Sequence, residues 1–156
     1  MIHDDLLEIA DELARRDPRR PKQTSLRRAV SSAYYAVFHA VAYTCTIAFV
    51  TWNKPWNVVT PLYRSLDHGP ARKVFDGDRQ GAKFGPEAAS VGRIFIQLQQ
   101  ARYTAYYDPG PFPLNRQDTL ELIDRAREAV QLIGKIPDEK RLLLVFCSHR
   151  RIPKSA

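Results

Sequence analysis

The stretch that decides the fold reads Arg27-Arg28-Ala29-Val30-Ser31-Ser32-Ala33-Tyr34-Tyr35-Ala36-Val37-Phe38-His39-Ala40. Its alanines recur at helical spacing, which lets neighbouring helices approach closely on one face. A second apolar line at the same spacing contains Tyr34, Phe38, Val41 and Cys45. The pattern predicts a long central helix that begins at Thr24 or Ser25 as the N-cap and ends near Thr51.

Three further long helices are predicted by apolar periodicity on both sides of this stretch. The first covers residues 2–15 and ends at Asp17-Pro18. Another opens at Pro86, presents Phe95, Leu98 and Arg102 on one face, and ends at Asp108-Pro109. The last follows Asn115-Arg116-Gln117-Asp118, a variant of the capping box, and ends at Gly134.

The remaining segments are predicted to be short. We expect a connection over residues 52–61 with room for one helical turn, one or two short helices over residues 62–75, and another short helix over residues 138–146. No alternation typical of β-strands is present. The prediction is an all-α, antiparallel up-and-down bundle of four to five main helices. The 156 residues fit one domain, placed at residues 1–147, with a basic tail at 148–156.

Composition narrows the class of protein. Lys and Arg number 24 against 17 Asp and Glu, so the net charge of +7 favours polyanionic partners. Cys45 and Cys147 form no zinc or redox motif, which predicts a reduced, cytoplasmic protein. Residues 29–53 carry no charge and are long enough to cross a bilayer, yet their many polar side chains favour a bundle helix and no membrane association.

Three segments carry a resemblance to a known family. They are residues 28–40 with the Ala33-to-His39 core, Asp67-His68-Gly69 leading to Phe75, and Arg102-Tyr103-Thr104-Ala105-Tyr106-Tyr107-Asp108. In this order and spacing they resemble the HEPN domain, a small α-helical family tied to RNA cleavage and toxin–antitoxin systems. The resemblance implies a homodimer in which an Arg and a His meet across the interface and cleave RNA without a metal or cofactor.

The chain departs from that pattern at the catalytic histidine. The matching position is Tyr107, or Asp108 with one more spacer, and Ser32 stands where the family often has Arg. A tyrosine, with an ordinary pKa of about 10, is a poor base at neutral pH. The resemblance therefore predicts a catalytically impaired module of a toxin–antitoxin or defence system that binds RNA or a partner protein. A nucleotidyltransferase-type antitoxin is the partner that the family implies.

Two other interpretations of the function remain open. One is an active metal-independent endoribonuclease that uses Arg102 with His68, Tyr107 or Asp108 as substitute base. The other is a structural interaction subunit in which Arg102 forms an internal salt bridge, for example to Asp108. His39, inside the central helix, is expected to be a hydrogen-bonded core histidine.

RNA-binding candidates are concentrated around the first connection. Seven cations stand within fourteen residues, opposed only by Asp17: Arg15, Arg16, Arg19, Arg20, Lys22, Arg27 and Arg28. Such a cluster either contacts phosphates or forms a solvated loop. Tyr106 is a candidate for stacking on an unpaired base, with packing as the alternative. No metal-ligand spacing is present, so no metal is predicted.

Overall fold

A computed structural model describes residues 1–50, 55–66, 68–75 and 84–141. Within these ranges the chain forms six helices: α1 (Ile2–Arg15), α2 (Gln23–Phe49), α3 (Trp56–Ser65), α4 (His68–Phe75), α5 (Pro86–Tyr107) and α6 (Arg116–Ile133). A short helical segment begins at residue 138. The prediction of an all-α bundle is confirmed.

The four long helices alternate in direction. Arg27, in the first turn of α2, donates hydrogen bonds to carbonyls of Thr104 and Ala105 in the last turn of α5, so α2 and α5 run antiparallel. Arg116, the first residue of α6, donates to the carbonyl of Ala14 near the end of α1, so these two helices are also antiparallel. Helix α2 packs against α1, α3, α5 and α6. In the order of the chain, α3 and α4 come between α2 and α5.

The core lies between the long helices. The small residues of α2 are buried as their spacing predicts: Ala29, Ala33, Ala36 and Ala40. They face the buried side chains of α5 and α6, among them Val91, Phe95, Leu98, Ile123 and Ala126. Full burial of a large aliphatic or aromatic side chain contributes about 1.5–3 kcal/mol, so this layer is the main source of the bundle's stability.

Several predicted boundaries are confirmed. Helix α1 begins and ends at the predicted residues, and α5 runs from Pro86 to Tyr107. The side chain of Asn115 accepts from the backbone N–H of Asp118, and the Asp118 carboxylate accepts from the N–H of Asn115, both at 3.0 Å. This is the predicted capping box of α6, and Gly134 follows at the helix end.

The predicted cap of α2 is wrong. The helix begins at Gln23, and its N-cap, Lys22, makes no side-chain capping hydrogen bond. Instead the carboxylate of Asp17, in the preceding loop, accepts from the backbone N–H of Lys22 at 2.9 Å and from the Ser25 hydroxyl at 3.1 Å. Asp17, five residues before Lys22, therefore supplies the acceptor that the sequence analysis predicted at Thr24 or Ser25.

The predicted connection over residues 52–61 contains more helix than the single turn expected there, because α3 begins at Trp56 and continues to Ser65. Pro55 stands at the N-cap, where no helical N–H is needed, and Pro61 lies inside the helix at a typical cost of about 3 kcal/mol. The first half, at residues 51–54, lies outside the described residues, as do Cys147 and the tail. None of the described helices is long and apolar enough to cross a membrane.

Candidate functional site

Arg102 occupies the position on α5 that its spacing predicts. Phe95 and Leu98, earlier on the same face, are fully buried, and Arg102 itself is half-buried where this face approaches the helix end. Its Nη2 atom donates a hydrogen bond to the hydroxyl of Tyr35 at 2.9 Å. This hydrogen bond joins α5 to the segment of α2 at residues 27–40.

Aromatic rings surround the Arg102 guanidinium. Its Cζ atom lies 5.2 Å from the ring centroid of Tyr34, 5.0 Å from that of Tyr35 and 6.0 Å from that of Tyr106. At these distances the ring faces attract a cation. The contacts fix the guanidinium at the junction of α2 and the end of α5.

Arg102 forms no ion pair among the described residues, so the internal salt bridge is not found there. The carboxylate of Asp108 accepts instead from the backbone N–H of Gly110 at 2.8 Å. Within the same ranges, Nε of Arg102 is buried and has no hydrogen-bond partner. Partly buried and uncompensated, this cation suits an anionic ligand.

His68, the first residue of α4, reaches the same two tyrosines. Its Nδ1 is hydrogen-bonded to the Tyr34 hydroxyl at 2.5 Å, and its ring lies 6.1 Å from that of Tyr35 and stacks on Phe38 at 4.0 Å. Burial raises the pKa of Tyr34 to about 12, so its phenol stays protonated at neutral pH. The structure thus brings together His68 and Arg102, which the sequence alone does not place side by side.

A second histidine continues the cluster away from Arg102. Nδ1 of His39 is hydrogen-bonded to the Tyr63 hydroxyl at 2.5 Å, as expected for a satisfied histidine, although the side chain is half-buried. Burial, and to a lesser extent the charge of His3, lowers the pKa of His39. His39 is therefore neutral at physiological pH and serves to attach α3 to α2.

A groove of about 550 Å³ opens between α1, the start of α2 and the end of α5. Arg102 does not line it but contacts two of its lining residues, Tyr35 and Tyr106. The α2 wall of the groove is a polar row at helical spacing: Thr24, Arg28, Ser31, Ser32 and Tyr35. Leu6, Ile9 and Leu13 form the α1 wall, and Tyr106 closes the α5 side. The hydroxyls of this row were missed as site residues, although their spacing with Arg28 was a usable signal. The groove combines cations, hydroxyl donors and an aromatic ring.

Arg27 has a different role from the one predicted for it. Its guanidinium donates to the carbonyls of Ala105 at 2.9 Å, Asp108 at 2.7 Å and Gly110 at 2.5 Å, with a longer contact to Thr104. These are carbonyls at and beyond the end of α5, which a helix leaves without internal partners. Arg27 therefore caps α5 through its Nη1 and Nη2 atoms.

The rest of the basic cluster is mostly exposed, at Arg16, Arg19, Arg20, Lys22 and Arg28. Arg15 is also exposed but pairs with Asp11 at 2.7 Å. The loop is held by Arg116, which donates to the carbonyls of Ala14, Asp17 and Pro18. Hydrogen bonds, first that of the Lys22 N–H, lower the pKa of Asp17. The loop cations therefore project from a backbone held at several points.

Tyr107 and Asp108, the positions that match the family's histidine, lie at the exposed end of α5. Tyr107 packs against Tyr103 and Tyr106, at ring distances of 4.9 and 5.1 Å. The described ring contacts of Arg102 include Tyr106 but not Tyr107. Of the four predicted catalytic residues, His68 shares the contacts of Arg102 with Tyr34 and Tyr35, and Tyr107 is linked to Arg102 through Tyr106.

Across the described ranges no three His, Cys, Asp or Glu side chains are grouped so that they could hold a metal ion. Comparisons of the chain with protein-family models, curated proteins and solved structures give no match. The chemistry of the groove is therefore the basis for a functional assignment.

Proposed function

We propose that the protein is an RNA-binding helical module whose groove holds backbone phosphate between Arg102 and Arg28. The observation that carries the proposal is the state of Arg102. This side chain is half-buried against Tyr35 and Tyr106 of the groove wall, has no carboxylate partner among the described residues and keeps one buried N–H without an acceptor there. A phosphate supplies the negative charge that this arrangement lacks.

The guanidinium is held in place before any ligand arrives. The Tyr35 hydroxyl and three aromatic rings fix its plane, so little side-chain entropy is lost on binding. Partial burial also reduces screening by solvent, which strengthens the attraction to an anion. The hydroxyls of Ser31 and Ser32 add uncharged donors along the same wall.

The biological setting is proposed from the HEPN resemblance alone. It makes the chain a component of a toxin–antitoxin or defence system, with a nucleotidyltransferase-type protein as its cognate partner. The purely structural alternative requires Arg102 to be neutralised internally, and the described residues provide no ion pair for it.

Fluorescence anisotropy with a labelled single-stranded RNA tests the proposal. Arg102→Ala should weaken binding by roughly tenfold or more, because a hydrogen bond to a charged group contributes about 1.5–3 kcal/mol. Arg93→Ala is the matched control, since Arg93 is an exposed arginine of the same helix that lines a separate cleft between α5 and α6. Equal losses in both variants, or no salt-sensitive binding by the unchanged protein, would overturn the proposal.

A metal-independent endoribonuclease is the second candidate, favoured by the shared contacts of His68 and Arg102 with Tyr34 and Tyr35. In this reaction a base removes the proton of the ribose 2′-hydroxyl, and the 2′-oxygen attacks the adjacent phosphorus. The 5′-oxygen leaves and takes up a proton, so the products are a 2′,3′-cyclic phosphate and a 5′-hydroxyl. His68 would exchange the protons, and Arg102 would stabilise the phosphorane charge.

Incubation of mixed RNA in chelator, with detection of cyclic phosphate ends, tests this second candidate. Cleavage that disappears in both Arg102→Ala and His68→Ala would establish it over simple binding. Cleavage that persists in Arg102→Ala would exclude this site as its source. Binding without cleavage would leave the module as a non-catalytic RNA binder.

A further inference from the structure

The exposed end of α5 carries a concentration of aromatic surface. Tyr103, Tyr106 and Tyr107 are 63%, 71% and 59% exposed, whereas Tyr34, on the same side of the bundle, is completely buried. Eight large hydrophobic side chains are exposed among the described residues, and three of them stand at this one helix end. We call these three side chains the tyrosine platform. Such a local concentration marks a contact surface.

The platform is arranged by the helix itself. Residues three and four positions apart share a face of a helix, so Tyr103, Tyr106 and Tyr107 project together. Their rings support one another at centroid distances of 4.9 and 5.1 Å. A tyrosine loses only two side-chain torsions on binding, and rings that already pack together lose less. The platform therefore offers large aromatic area at a low entropic cost.

The charges beside the platform favour a polyanion. The Arg102 guanidinium lies 6.0 Å from the Tyr106 ring, and Arg28 lines the groove that Tyr106 closes. A helix C-terminus normally repels anions, but here Arg27 covers the terminal carbonyls. The nearby Asp108 carboxylate is engaged by the N–H of Gly110. Cations that can contact phosphates therefore lie next to aromatic rings that can contact bases.

We infer that the tyrosine platform stacks unpaired bases, so that the ligand of the groove is single-stranded rather than double-stranded RNA. This inference rests on the proposed function and specifies its substrate class. The faces of bases within a duplex are covered by their neighbours, and only unpaired bases present a face to a phenol ring. The strand lies with phosphate at Arg102 and Arg28 and with a base on Tyr106.

The test compares three labelled ligands of equal length: an oligouridylate, an RNA duplex, and an abasic strand that keeps the sugar and phosphate but lacks bases. The unchanged protein should bind the oligouridylate most tightly. Tyr106→Ala should weaken oligouridylate binding by roughly 5- to 100-fold and abasic-strand binding much less, because Tyr34 and Tyr35 still hold the Arg102 guanidinium. Tyr106→Phe should keep the affinity, because the ring face remains. Trp56→Ala is the matched control, since Trp56 is an aromatic residue of α3 with similar exposure, 58%.

The outcomes separate this inference from the function on which it depends. Arg102-dependent binding with no preference for base-bearing strands would overturn the platform and leave the proposed function intact. Absence of RNA binding would overturn both. The HEPN resemblance offers a competing account of the same side chains, in which they lie near a dimer axis. If Tyr106→Ala converts a dimer to a monomer in light scattering while strand preference is unchanged, the platform is an assembly surface and the inference is wrong.

Discussion

The hydroxyl of Tyr35 accepts a hydrogen bond from Nη2 of Arg102 at 2.9 Å, and this contact joins the second helix to the fifth at the centre of the candidate site. The two residues are 67 positions apart. The same tyrosine ring also approaches His39 and His68, so Tyr35 links the cation to both histidines. The aromatic core and the binding groove are therefore one connected structure.

Removal of that hydroxyl tests how far the position of Arg102 depends on it. Tyr35→Phe keeps the ring and should lower the free energy of unfolding by about 1 kcal/mol, because one hydrogen bond is lost. RNA affinity should fall less than in Arg102→Ala, since the guanidinium itself remains. Denaturant unfolding and anisotropy measure the two effects, with Tyr43→Phe, a half-buried tyrosine on the same helix, as control. Additive effects of Tyr35→Phe and Arg102→Ala on affinity would show that the two residues act independently.

The adjacent residues Arg27 and Arg28 should give opposite phenotypes. Arg27→Ala removes the cap of α5 and should cost about 2–4 kcal/mol of stability, because partly buried charge-assisted hydrogen bonds are lost. Arg27→Lys should not restore it, since an ammonium cannot reproduce the planar fork. Arg28→Ala, at an exposed groove position, should change stability by less than about 0.5 kcal/mol but weaken RNA binding. The reverse pattern in thermal unfolding and anisotropy would refute these roles.

The exposed loop cations should control the salt dependence of binding. Replacement of Arg15, Arg16, Arg19 and Arg20 by Ala should flatten the plot of log affinity against log salt, by about 0.7 in slope for each lost phosphate contact with a single strand. Because Arg15 already pairs with Asp11, we expect most of the change from Arg16, Arg19 and Arg20. Filter binding over a salt series measures it, with Arg93→Ala/Arg125→Ala as control. An unchanged slope would assign the loop to solvation alone.

Stability should fall in mildly acidic solution through His39. Burial, with a smaller contribution from His3, lowers the pKa of His39 below its ordinary value of 6.5. Above pH 6.5 the side chain is neutral in both states, so its contribution is complete. As the pH falls below 6.5, the unfolded chain binds a proton that the folded chain does not, and the free energy of unfolding decreases until the folded-state pKa is passed. Urea unfolding across this range should show a flatter profile for His39→Asn. An identical profile would place the effect in another group.

The sequence predicted the helix ends and caps that depend on local patterns. The ends of α1, the proline start of α5 and the reciprocal cap between Asn115 and Asp118 each depend on residues a few positions apart. It was insufficient for α3, because Pro61 was placed in a connection although it lies inside this helix.

The sequence predicted individual residues of the candidate site but not the contacts between them. Apolar spacing identified Arg102 as a half-buried cation, and composition identified the basic loop. The partners came from the tertiary fold: Arg27 meets carbonyls 77 to 83 residues away, and His68 meets Tyr34 across 34 residues. Neither contact leaves a local pattern, so Arg27 was grouped with the surface cations and His68 was only one of three candidate bases for Arg102.

The buried Nε atom of Arg102, without an acceptor among the described residues, implies a trade-off between stability and function. An unmet buried donor costs about 1–3 kcal/mol, and the empty protein carries that cost permanently. Tyr35→Phe/Arg102→Met, which removes the donor together with the hydroxyl that pairs with this guanidinium, should therefore melt at a higher temperature than Tyr35→Phe alone. The same variant should lose the affinity of the groove for phosphate. Selection for stability alone would therefore not favour an arginine at this position, whereas selection for phosphate binding would.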